Sequence, residues 1–199
     1  MMNDSIKKTF SSREEIQAAL NKKRDLSRAD LSNIDLTGLK LVGFNGEAIK
    51  LSKSTFHEGV IMAANMAGAD FSGADLAGTV IGMSNLGGAT FRDANLRGAK
   101  FQMSNLGDVD FSGADLRETL WIASNIADAD FSDAAMDGAK SSAVSWVTAG
   151  VVPEEIPEPL LSTPRWAPFA VLGLVGSVLA FLFLRRRQKT EYISLDEIE

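Results

Sequence analysis

The sequence predicts an all-β solenoid: a quadrilateral β-helix between a short N-terminal capping helix and one C-terminal transmembrane α-helix. Three observations predict it. Bulky apolar residues recur every five positions, without insertion, over about 125 residues; all five prolines lie between Pro153 and Pro168; and no charge occurs from Ala167 to Leu184. A chain of 199 residues suits one domain and an appendage. The divisions are 1–23 for an N-terminal arm and capping helix, 24–148 for the β-helix, 149–165 for a proline-rich linker, 166–184 for the membrane helix and 185–199 for a polar tail.

Residues 11–23 read as a helix. Ser11 and Glu14 have the spacing of a capping box, and Ile16, Ala19 and Leu20 form a short apolar stripe. Stacked coils leave an unpaired edge at each end, so this helix is expected to lie across the first coil and block end-to-end growth. The other reading is a partner-binding helix.

The rod rests on its period. Four twenty-residue lines align without a gap from Met66, Leu86, Leu106 and Ile126, and bulky residues fall at Phe71, Leu76, Ile81, Phe91, Leu96, Phe101, Phe111, Leu116, Trp121 and Phe131. Two positions before each stands a small residue, such as Ala69, Ala74, Thr79, Ala89 and Ala99. A helix would spread a five-residue period around its axis, and a strand would flip alternate units to the opposite face. A chain that turns a corner every five residues keeps two positions per unit inward. Four units close one coil, and coils stack at about 4.8 Å. In the first coils Phe44 takes a small slot and Gly46 a bulky one, so Phe44 is expected to fill the space Gly46 leaves; at the far end Ser141 takes a bulky slot, with Val144 and Trp146 as a plug.

The units A-D-L-S-N at Ala29, A-D-F-S-G at Ala69 and Ala114, A-D-L-A-G at Ala74 and A-N-L-R-G at Ala94 resemble the pentapeptide-repeat proteins, with consensus A-(D/N)-L-x-x. The resemblance covers about 125 residues and implies a right-handed coil; the handedness comes from the family alone. It also brings one function to weigh, because some members protect or inhibit DNA gyrase by imitating duplex DNA.

Activity must come from outward positions. One face carries a column of Asn45, Asn65, Asn85, Asn105 and Asn125, an expected amide ladder. Two faces are polar, with Asp70, Asp110 and Asp130 on one and Asp75 and Asp115 on the next. Between Gly59 and Thr148 eleven acids oppose five bases. That is about one net charge per 3.6 Å, against one per 1.7 Å in DNA, and Arg92, Arg97, Lys100 and Arg117 interrupt it. The fourth face carries Val60, Met62, Val80, Met83, Met103, Leu120 and Ile122, more exposed apolar surface than scattered residues explain. Either the chain covers it or a protein partner does.

Catalytic chemistry is not legible. Cysteine is absent, His57 stands alone on an outward corner, no phosphate loop or calcium-binding repeat occurs, and a convex rod offers no enclosing cleft. The expectation is a non-enzyme without cofactor, metal or small-molecule substrate, and with net charge −6 no nucleic-acid partner.

The anchor reads from its ends. Trp166 and Phe169 stand at one side and Arg185, Arg186 and Arg187 at the other, and Gly173 with Ser177 and Gly176 with Ala180 are small pairs suited to helix contact. Eighteen residues make about 27 Å of helix. The arginines favour a cytoplasmic tail, whereas the N-terminal MMNDSIKKTFSSREE has no apolar export signal. The expectation is a single-pass anchor, a cytoplasmic rod and protein partners at the membrane. Pro157-Glu158-Pro159, the apolar span and the arginines also resemble bacterial PEP-type sorting signals, although a dozen residues follow the arginines. The reading is a membrane-anchored scaffold; the alternatives are a DNA-mimicking gyrase regulator and a secreted effector inserting into host membranes.

Overall fold

The computed structural model describes residues 10–160. They form a parallel β-solenoid of about six turns, in which residues pair with those twenty positions later until the last coil, where the separation is 21 at Asp130↔Val151 and 18 at Lys140↔Glu158. Helix α1 (Arg13–Lys23) covers its start. Strands β1 (Lys40–Val42), β2 (Val60–Met62), β3 (Val80–Gly82), β4 (Lys100–Gln102), β5 (Leu120–Ile122) and β6 (Lys140–Ser142) stack in that order as one parallel sheet, and β7 (Glu158–Pro159) adds to β6. The other three sides are held by single bridges, as in Asn65↔Asn85, Asp70↔Thr90 and Asp75↔Asn95.

The corners explain the period of five. Every fifth residue from Arg28 to Ala143 has positive φ, and glycine occupies nine of these sites, Gly68, Gly73 and Gly78 in succession. A left-handed residue costs glycine little, which is why it recurs there. On three sides the corner is closed by a backbone bond, as from the Ala69 N–H to the Met66 carbonyl at 3.1 Å or the Ala74 N–H to Phe71 at 3.0 Å. On the sheet side it is open, and a serine of the next coil serves instead. The Ala64 N–H donates to Ser84 Oγ at 3.2 Å, Ser84 N–H to Ser104 Oγ and Ser104 N–H to Ser124 Oγ, both at 3.4 Å. The "small" residue on this side is therefore serine for its hydroxyl as well as its size.

Inside, the bulky positions form columns. Phe71, Phe91, Phe111 and Phe131 stack at 4.6–5.1 Å, Phe101 stacks on Trp121 at 4.3 Å, and the columns meet edge to face. Such geometry adds to the burial of each ring. Among the described residues no buried side-chain polar atom lacks a partner. Phe44 does lie over Gly46, where an added Cβ would stand 2.7 Å from its ring.

Two expectations are corrected. The helix cap is Ser12, not Ser11: Ser12 accepts the Glu15 N–H at 3.3 Å, and Glu15 Oε2 accepts from the Ser11 N–H at 2.9 Å. The capping box thus sits one residue later than Ser11 and Glu14 suggested, in the register that turns Ile16 and Leu20 inward. Arg24 closes the helix, its N–H on the Leu20 carbonyl, so the coils begin at Asp25. The linker read from 149 is, through Leu160, part of the rod's end. Val151 bridges Asp130, β7 pairs with β6, and Pro153 and Pro157 are buried. Proline serves there because an end segment needs no donor toward a further coil.

Candidate contact face

The sheet side presents the apolar residues read from the sequence. The parallel register brings Val60 against Val80, Lys100 against Leu120, and Met62 against Gly82. Met62 lies along the sheet because Gly82 leaves room: a Cβ there would stand 2.6 Å from its Sδ. Only Met83 and Met103, 52% and 58% exposed at positive-φ corners, stand well clear of the surface. Val60, Met62, Val80, Leu120 and Ile122 are half-buried, since each is flanked by the coils above and below.

The face also holds residues not singled out from the sequence. Val42 is 53% exposed at its N-terminal end. Lys40, Lys100 and Lys140 stand in the same register column as Val60, Val80 and Leu120, each exposed. Lys100, assigned to the acidic surface above, belongs to this side instead. The twenty-residue spacing from Lys40 to Lys140 was the signal for all three. Gln102 splits the apolar surface between Gly82 and Ile122.

The acidic sides are less available than their sequence suggests. Asp70, Asp75, Asp110, Asp115 and Asp130 each accept the N–H of the residue two positions on, locking a turn. Arg92 pairs with Asp110 at 2.6 Å, Arg117 with Asp115 at 2.5 Å and Arg97 with Glu118 at 2.5 Å. Burial works against the ionised Asp110, but the Ser112 hydroxyl and Arg92 outweigh it and hold the carboxyl below its usual range. The Arg117 hydrogen bond does the same for Asp115. The asparagines form the expected ladder, each Nδ2 on the Oδ1 one coil back at 2.9–3.1 Å from Asn65 to Asn125. His57 is partly exposed, 3.8 Å from Glu58. Among the described residues no group of three His, Asp or Glu could hold a metal, and no helix is long and apolar enough to cross a membrane. The anchor residues Trp166, Phe169, Gly173, Gly176, Ser177, Ala180, Arg185, Arg186 and Arg187 lie outside the described residues.

A family profile of pentapeptide repeats matches residues 69–113 and 104–140, with eight copies. Over these residues the rod is similar to the pentapeptide-repeat family. Its fold is shared with QnrB1, a plasmid-mediated fluoroquinolone resistance protein: 17% identity, TM-score 0.57, over 76% of this chain and 87% of that one. The pentapeptide-repeat protein Rfr23 of the cyanobacterium Cyanothece 51142 aligns over 68% of this chain and 99% of its own at 16% identity and TM-score 0.34. One from the Arabidopsis thaliana thylakoid lumen aligns over 49% and 68% at 25% and 0.30. No curated protein matches the chain. Pentapeptide-repeat proteins are in general structural or interaction proteins.

Proposed function

We propose that this chain is a non-catalytic, membrane-tethered scaffold: a pentapeptide-repeat rod that works by surface contact within a membrane-associated assembly. The observation that carries the reading is the sheet side, where Met83 and Met103 stand exposed among half-buried aliphatic residues, whereas elsewhere on the coils exposed large apolar residues begin only at Val147, at the rod's end. The tether at 166–184 rests on the charge-free run from Ala167 to Leu184, and with it a cytoplasmic rod. The test is co-purification of the full chain from its native membranes. Met83→Glu with Met103→Glu is expected to lose association while the rod melts at an unchanged temperature, because both side chains are exposed. A variant that melts early, or that keeps its association, overturns the reading. Protease treatment of intact cells checks the side of the membrane.

The shared fold with a fluoroquinolone resistance protein favours one second reading, a DNA-shaped regulator of gyrase. The ion pairs at Asp110, Asp115 and Glu118 weaken it, since they cancel charge such a surface needs. Inhibition of gyrase supercoiling by the purified chain would support it.

A further inference from the structure

The hydrogen-bond column on one side of the rod stops a coil early. On the side of Asp75 and Asp115, the N–H of each inward residue meets a carbonyl of the following coil: Phe56 on Asp75, Leu76 on Asn95, Leu96 on Asp115 and Leu116 on Ala135, at 2.6–2.8 Å. The corners that end this side repeat the pattern, with Gly78 on Arg97, Gly98 on Arg117 and Glu118 on Asp137, each at 2.9 Å. Next in the series are Met136 and Gly138, and neither N–H has a partner among the described residues. The same holds for Asp133 at the preceding corner, whose equivalent Gly113 bonds Ser132 at 2.9 Å. The Ala134 carbonyl is open as well, although the Ala114 carbonyl one coil back accepts the Ala135 N–H at 3.0 Å. Met136 is only 4% exposed, and a donor that lacks an acceptor in so buried a residue is rare.

The path of the last coil leaves this edge open. Asp130 and Lys140 are ten residues apart, whereas Val151 and Glu158, which pair with them, are seven apart. Between those two pairings the chain makes no bridge to the coil beneath, and Pro153 and Pro157 are buried there. Neither proline has an N–H to offer the Ala134 carbonyl. An unpaired edge of this kind is a template for another extended chain. Charge specifies that chain. From Asp128 to Leu160 seven carboxylates accompany one base, Lys140, which pairs in register with Glu158. Asp133 and Asp137 are exposed on either side of Met136, and Glu154, Glu155 and Ile156 are exposed in the final pass. Arg117 stands one coil back from Asp137, but its guanidinium is bonded to Asp115. The edge therefore suits a segment that brings positive charge of its own.

We infer that the edge from Asp133 to Gly138 takes an extended, lysine- or arginine-bearing segment of a partner protein as one more parallel strand. The segment's carbonyls accept from Asp133, Met136 and Gly138, and one of its N–H groups donates to Ala134. Its side chains alternate between the apolar end of the core at Met136 and the outer column at Asp137. The site is separate from the sheet side and rests on neither that contact nor the tether.

The test is amide hydrogen exchange of the full chain in a zwitterionic detergent, read residue by residue by NMR. The probes are a blocked peptide of alternating lysine and valine and its counterpart of alternating glutamate and valine. The lysine peptide is expected to slow exchange at Met136 and Gly138 several-fold, and the glutamate peptide to leave both unchanged. Asp133→Lys with Asp137→Lys should abolish the protection by the lysine peptide at an unchanged melting temperature. Lysine is tolerated at both sites, since Lys53 occupies the corner equivalent to Asp133 at φ 56° and Arg117 the position equivalent to Asp137. Should that variant melt early, Asp137→Arg alone is expected to weaken the protection by the lysine peptide. No slowing by the lysine peptide, equal slowing by both peptides, or slowing spread over the acidic sides without the edge overturns the inference. A Met136 amide already slow in the chain alone also overturns it: slowing lost on dilution assigns the edge to a second copy, and slowing that survives dilution assigns it to the chain itself.

Discussion

The indole N–H of Trp146 donates to the Ser141 hydroxyl at 3.2 Å, so a small residue in a bulky slot is the acceptor that seats the plug of the rod. The Trp146 ring closes both aromatic columns, 5.5 Å from Trp121 and 5.4 Å from Phe131. Ser141→Leu restores the consensus residue yet is expected to destabilise the rod by about 1–3 kcal/mol, because the larger side chain crowds the indole and removes its acceptor. Trp146→Ala should cost about 3–5 kcal/mol. Urea unfolding followed by circular dichroism checks both.

Phe44 and Gly46 exchange volume within one corner. Gly46→Leu alone is expected to cost about 1–3 kcal/mol through the clash with the Phe44 ring. Combined with Phe44→Ala it should recover much of the loss of either single change. A double-mutant cycle that came out additive would refute this packing.

Asn85 makes three bonds: its Nδ2 donates to Asn65, and its Oδ1 accepts from Asn105 Nδ2 and from the Gly87 N–H. Asn85→Ala is expected to cost about 1 kcal/mol. Asn85→Asp keeps the two acceptor bonds but sets a carboxylate against the Asn65 oxygen. Its deficit should shrink as pH falls through the ordinary carboxylate range near 4, when the new carboxyl gains a proton to donate. Urea midpoints at pH 7 and pH 3.5 read this.

Asp35, Asp110 and Asp115 are held below their usual range: Asp35 first by the Thr37 hydroxyl, Asp110 by Ser112 and Arg92 against its burial, and Asp115 by Arg117. A carboxyl that ionises more readily folded than unfolded stabilises the fold above its unfolded value, and that contribution is lost as pH falls through the lowered folded one. Stability should be level from pH 7 to about 5 and decline below about 4. Asp110→Asn should reduce the decline, and a variant with the same acid limb as the parent would contradict it.

Much of this molecule is written in spacing. The column of Phe71, Phe91 and Phe111, the ladder from Asn45 to Asn125 and the Phe44–Gly46 exchange all follow from counting fives and twenties, because each residue's neighbours are its own equivalents one coil away. What escaped counting were features that depend on how a corner is made. Serine at 84 and 104 looked merely small, since size and hydroxyl cannot be separated until the open corner leaves a backbone N–H without a carbonyl. Lys100 looked like part of an acidic surface, since net charge along a chain does not say which of four sides a residue faces.

The repeat thus determined by itself that the chain coils, how many residues make a coil and which side chains stack inside, for a solenoid's core contacts are local in register. The tertiary structure alone decided where the rod stops and what its sides carry. Ser12 caps the helix in the register that buries Ile16, the segment through Leu160 folds back as the last strand, and the arginines consume the carboxylates they reach. Those outcomes turn on distances between residues whose separations follow no period, and only the folded chain sets them.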